Sequence, residues 1–170
     1  MSKANVMDGL KGNSFTPTVL LIGNGSSTNK FAFGDIIDQF DEVVRFNDYE
    51  DREQDEAAFG SRCTVWVLGD HMPVSCRPKT NQTLIRVIRP ADSREFYADS
   101  VFDRTVEGIK NPSSGVVVAN KFTDMNMTVY TLGMDAYAPS TELTERGHDP
   151  ASERLFWANN ERCRRLEAWL

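Results

Sequence analysis

The feature that most constrains this chain is a rhythm in its first third. An apolar run, Thr18–Ile22 (TVLLI), stops at Gly23-Asn24-Gly25. An amphipathic stretch follows, and a second apolar run, Glu42–Asn47 (EVVRFN), ends on a polar residue. A short continuous run of aliphatic and β-branched residues reads as a strand covered on both faces. Between the runs, Phe33, Ile36, Ile37 and Phe40 recur at helical spacing, so residues 29–40 predict a helix packed on the sheet. Strand, glycine turn, helix and strand make a βαβ unit, which needs parallel pairing and a crossover.

The rest of the chain repeats the alternation. Cys63–Leu68 (CTVWVL), Leu84–Ile88 and Thr128–Gly133 read as strands. Ser93–Ile109 predicts a helix through Phe96, Val101, Phe102 and Val106, and Asn111-Pro112-Ser113-Ser114-Gly115 a turn leading into a helix over VVVANKF. Pro150–Leu170 predicts one long helix with Leu155, Phe156, Cys163, Leu166 and Leu170 along an apolar stripe. In that reading Arg162, Arg164 and Arg165 are the cationic end complementing the helix dipole. The acidic stretch DYEDREQDEAAFG reads as a solvated loop or short helix. The expected fold is α/β, a mostly parallel central sheet with helices on both faces. A polar leader over 1–17 precedes one domain over 18–170.

Composition narrows the function. With 170 residues and 40% apolar content, the chain suits one domain with a single core. A net charge of −6 argues against nucleic acid as a partner, though it leaves room for a local basic pocket. No apolar run approaches the roughly 20 residues of a membrane span, and MSKANVMDGLKGNSFTP has no apolar signal-peptide centre. Cys63, Cys76 and Cys163 have neither metal-like nor redox-like spacing and read as free thiols of a reducing compartment. A soluble, cytoplasmic protein is the expectation.

Ligands of such sheets collect beyond the carboxyl ends of the strands. Three turns with suitable chemistry lie there. Gly23-Asn24-Gly25-Ser26-Ser27 combines a tight backbone with neutral hydrogen-bonding groups. Arg45-Phe46-Asn47 ends the second strand, where Arg45 suits either a carboxylate or phosphate, or a structural partner. Pro112-Ser113-Ser114-Gly115 opens a helix, whose free N–H groups favour an anion. A dinucleotide fingerprint would need a third glycine where Thr28 stands, although Asp48 is placed for a ribose-binding acid. No phosphate-loop lysine follows the glycines. The glycines could also do no more than shape a strand-to-helix turn.

The motifs themselves resemble a known family. GNGSSTNKFAFGDIIDQFDEVVRFN is similar to the large sialyl motif of the eukaryotic-type sialyltransferases, glycosyltransferase family 29. NPSSGVVVANKFTDMNMTVYTLGMD resembles that family's small motif. Gly147-His148-Asp149-Pro150-Ala151-Ser152-Glu153 resembles the very small motif, H-x4-E, and the three stand in the family's order. The resemblance implies a variant GT-A (Rossmann-like) fold and an inverting transferase. Its donor would be a CMP-linked acidic sugar, sialic acid or a Kdo-like acid, and its acceptor a glycan hydroxyl. It implies neither metal nor cofactor. It places the nucleotide against Asn24, Gly25, Ser26, Asn47, Ser113, Ser114, Gly115 and Gly133. A catalytically silent CMP-binding module and a CMP-sugar hydrolase are the alternatives.

Catalysis of this kind requires a base for the acceptor hydroxyl. The chain has two histidines, His71 and His148. His148 precedes Asp149-Pro150, an N-cap and first-turn pair that marks a helix start, whose positive end favours a neutral ring. Glu153 either orients His148 or complements the dipole, and His71 reads as a loop residue at the cleft edge. The chain departs from the family where an H-Y-Y type motif would stand, since Ala136-Tyr137-Ala138 is the nearest stretch. Cysteines that would bridge the large and small motifs are absent, with Thr18 and Met125-Asn126 in those neighbourhoods.

Overall fold

A computed structural model describes residues 17–25, 32–49, 56–134 and 147–166. In chain order these form β1 (Thr18–Ile22), α1 (Gly34–Ile37), β2 (Glu42–Phe46), α2 (Glu56–Phe59), β3 (Val65–Gly69) and β4 (Thr83–Ile88). Then come β5 (Ser100–Asp103), α3 (Ser114–Asp124), β6 (Thr128–Leu132), α4 (Pro150–Asn159) and β7 (Cys163–Arg165). All seven strands join one sheet in the order β5-β4-β3-β2-β1-β6-β7. Every described pairing between them is parallel.

The aliphatic runs form the middle of the sheet because each strand there is covered on both faces. Alternate residues of β1 go to opposite sides, as the strand period of two requires. Val19 and Leu21 join Val44, Val67 and Val87 beneath α3, whose Val116, Val117, Val118 and Ala119 are fully buried, and beside Trp157 of α4. Leu20 and Ile22 join Val43, Tyr130 and Leu132 under Phe33, Ile36, Ile37 and Phe40 on the other face. The expected α/β sheet with helical cover on both faces is therefore present. Among the described residues no helix is long and apolar enough to cross a membrane.

Three expected elements differ. Within 29–40 the described helix is confined to Gly34–Ile37, although the apolar positions face inward as expected; residues 29–31 lie outside the described residues. Ser93–Ile109 is not a helix: Ser100–Asp103 is β5, paired with β4. Asp99 fixes that pairing, its carboxylate accepting from the Leu84 N–H at 2.7 Å while its own N–H donates to the Leu84 carbonyl. The spacing that suggested a helix fails because Val101 is 51% exposed while its neighbour Phe102 packs on the core.

The long C-terminal helix also stops early, at Asn159. Asn160 turns extended, its carbonyl accepts from the Cys163 N–H at 2.9 Å, and Cys163–Arg165 becomes β7 beside β6. Arg164 and Arg165 thus stand exposed on an edge strand rather than at a helix end. The buried positions of α4 are Glu153 and Trp157, while Leu155 is 62% exposed.

Candidate nucleotide-sugar site

The strand order reverses between β1 and β6, so their carboxyl ends flank the crevice where open parallel sheets bind ligands. The two ends touch. The Gly23 N–H donates to the Leu132 carbonyl at 2.8 Å and the Gly25 N–H to the Gly133 carbonyl at 3.1 Å. A side chain at Gly23 would place its Cβ 2.3 Å from the Gly133 oxygen, so glycine is required by contact. Gly133 has φ +65, a left-handed conformation that glycine adopts without strain.

The two motif asparagines link neighbouring strand ends. Asn24 Nδ2 donates to the Phe46 carbonyl at 3.2 Å, joining β1 to β2. Asn47 takes a left-handed conformation, φ +54, and its Oδ1 accepts from the Gly69 N–H at 2.9 Å, joining β2 to β3. The Asn47 carbonyl accepts from Trp66 Nε1 at 2.7 Å. Arg45, between them, is 1% exposed and turned under the sheet. Its guanidinium donates to the carbonyls of Arg62 at 2.8 Å and Phe59 at 2.6 Å, the structural one of its two expected uses. Ser26 lies outside the described residues, as does the 136–138 stretch.

Ser113 caps α3, its Oγ accepting from the Val116 N–H, and Ser114 and Gly115 form the first turn. Gly115 lies against the end of β6, where an added Cβ would press on Met134 Sδ at 3.1 Å. This turn is joined to the start of α4 by four hydrogen bonds. Glu153 accepts from the Ser113 N–H at 2.7 Å and the Ser113 hydroxyl at 2.9 Å. Asn111 Nδ2 donates to the Gly147 carbonyl at 3.0 Å, and His148 Nδ1 lies 2.8 Å from the Asn111 carbonyl.

That last contact settles the imidazole tautomer. A carbonyl only accepts, so Nδ1 carries the proton, and in the neutral ring Nε2 holds the lone pair. Asp149 caps α4 with Oδ1 on the Ala151 and Ser152 N–H groups and Pro150 in the first turn, which fixes the backbone under His148. Glu153 is 1% exposed, and burial raises its carboxyl above the usual carboxylate range although Ser113 hydrogen-bonds to it. Its Oε1 lies 3.9 Å from His148 Nδ1, beyond hydrogen-bond range. Glu153 therefore positions Ser113 directly and touches the imidazole only electrostatically.

His71 follows β3 with its side chain 59% exposed, 4.0 Å from the Asp70 carboxylate. Three residues in this region escaped the sequence reading. Asp70 bridges Arg104 Nη2 and Arg89 Nε, both at 3.2 Å, and Arg104 lies against Pro112 and Ser114. Arg104 directly follows β5, so recognising that strand would have placed it at the carboxyl edge. Asn111 carried no signal beyond its place in a turn. Among the described residues no group of three or more His, Cys, Asp or Glu side chains gathers as a metal site would require.

No family model and no curated protein matches the chain. Seven chains of solved structures do, among them the two that follow. One, a mammalian sialyltransferase, is 18% identical with a TM-score of 0.60, over 88% of this chain and 68% of that one. The other, a mammalian sialyltransferase in complex with Gal-beta-1-3GalNAc-ortho-nitrophenol, is 14% identical with a TM-score of 0.57, over 88% of this chain and 69% of that one. The parallel seven-stranded sheet and its helices are thus a sialyltransferase-like fold.

Proposed function

We propose that this domain transfers an acidic sugar, sialic acid or a Kdo-like acid, from a CMP-linked donor to a glycan hydroxyl, with inversion and without a divalent cation. As part of the same reading the fold belongs to the variant GT-A class. The observation that carries it is the His148–Asn111 contact, which leaves Nε2 as a base next to the turn that opens α3. In the proposed step Nε2 takes the acceptor proton as the acceptor oxygen attacks the anomeric carbon. The bond from that carbon to the phosphate oxygen breaks, and CMP departs with the electron pair. Asn24, Gly25, Ser26, Asn47, Ser114, Gly115 and Gly133 line the nucleotide in this reading. Ser113 contributes through position, since its hydroxyl already serves Glu153 and Val116.

Calorimetric titration with CMP beside UMP, AMP and NAD, with EDTA present, tests the donor. Selective CMP binding that survives the chelator supports the reading, and equal or absent binding overturns it. His148→Ala tests the chemistry, with CMP-sialic acid as donor and a Gal-beta-1-3GalNAc aryl glycoside as first acceptor. Transfer should fall by about 10³-fold while CMP affinity stays within about twofold. CMP binding without turnover in either form would mark a silent binding module, and sugar release without acceptor a hydrolase.

A further inference from the structure

Arg104 stands where a loop meets a helix start, and its hydrogen bonding is incomplete. Its side chain is 7% exposed. The guanidinium has five N–H donors. Nη1 reaches the Pro112 carbonyl at 3.3 Å, and Nη2 reaches Asp70 Oδ1 at 3.2 Å and Ser114 Oγ at 3.4 Å. Nε is buried with no hydrogen-bond partner. Each contact is at or beyond the long end of the usual range.

Through the Ser114 hydroxyl this guanidinium meets the first residue of an 11-residue helix, whose opening N–H groups are those of Ser114 and Gly115. First-turn N–H groups have no intrahelical acceptor, and the positive helix end adds to the cation. Asp70 does not neutralise the cluster by itself, because its other oxygen serves Arg89. The second nearby carboxylate, Glu153, is engaged by the Ser113 N–H and hydroxyl and acts on Arg104 only through its charge.

We propose that Arg104 and the first turn of α3 form one oxyanion site, which takes the acidic group of the donor. That group is either the nucleotide phosphate or the sugar carboxylate. The inference rests on the CMP-sugar reading of the cleft and assigns a charge-reading residue to it. A bound oxyanion would accept from Arg104 and from the Ser114 and Gly115 N–H groups, completing donors that the protein itself leaves short.

Affinities of wild type and Arg104→Gln for paired probes separate the two sources. If phosphate is the group, the variant loses roughly tenfold to hundredfold for CMP and less than about twofold for cytidine. If carboxylate is the group, the same loss appears for N-acetylneuraminic acid against its methyl ester. Equal affinities of variant and wild type for both acidic probes overturn the proposal. Should the variant fail to fold, NMR on the wild type replaces it. The Ser114 and Gly115 amides and the Arg104 Nε–H must then shift with CMP or with the free acid, and unmoved signals overturn the site. Binding of neither CMP nor cytidine defeats the nucleotide reading instead. Titration with inorganic phosphate then decides the oxyanion site alone, by the same three signals.

Discussion

The middle of the sheet and its two margins follow different rules. In β1, β2 and β6 every residue after the first is buried, and the carboxyl ends of β1 and β6 are joined by backbone contacts. At the margins, β5 and β7 are largely exposed and only three or four residues long. The centre is held by packing on both faces, the margins by pairing and by side chains such as Asp99 on the Leu84 N–H and Asn160 on the Arg162 N–H. The candidate site draws on both, with close-approaching glycines from the centre and Arg104 from the end of the marginal β5.

Gly23→Ala attacks the centre and should have the largest effect on stability. A Cβ 2.3 Å from the Gly133 oxygen meets backbone, so β1 and β6 must part at the crevice. A loss of about 3 kcal/mol is expected in chemical denaturation, and the CMP affinity proposed above should be lost with it. An unchanged midpoint would show that the strand ends are free to separate.

Glu153→Gln probes the join between the starts of α3 and α4 through pH. Burial raises the Glu153 carboxyl in the folded state above its ordinary value of 4.5. The folded protein therefore holds that proton more tightly than the unfolded chain. The associated stability is present below pH 4.5 and is lost as pH rises through the folded value. Glutamine does not ionise, so the melting temperature of the variant relative to wild type should climb from pH 4.5 towards neutrality. A difference that does not vary with pH would remove the buried carboxyl as a source of instability.

Val101→Thr tests the margin, where least is expected. The side chain is half exposed on β5, so stability should change by less than about 0.5 kcal/mol. A loss approaching that of Gly23→Ala would place β5 with the core and erase the contrast.

The same contrast explains what could be read in advance. A strand buried on both faces must be a continuous apolar run, which is why TVLLI, VVRF and TVYTL were legible. SVFD and CRR carry no such run, and β5 imitated helical spacing. The start of α4 was legible because Asp149 and Pro150 act on their own neighbours. The partners of His148 and Glu153 lie 37 and 40 residues away, a separation that no local pattern reports. Arg45 was visible as a charged residue within a strand, but its carbonyl partners, Phe59 at the end of α2 and Arg62 beyond it, lie 14 and 17 residues away.

The pairing of Thr18 with Thr128 joins positions 128 − 18 = 110 residues apart, and the crevice lies beyond this pair of strands. Contacts of such separation form late, because the closure entropy of the intervening chain must be met first. As the chain leaves the ribosome, β1 can pair with β2 long before β6 exists, leaving its other edge an open apolar template. The crevice is therefore among the last parts of this molecule to exist, and the nascent chain depends on its neighbours staying away until then.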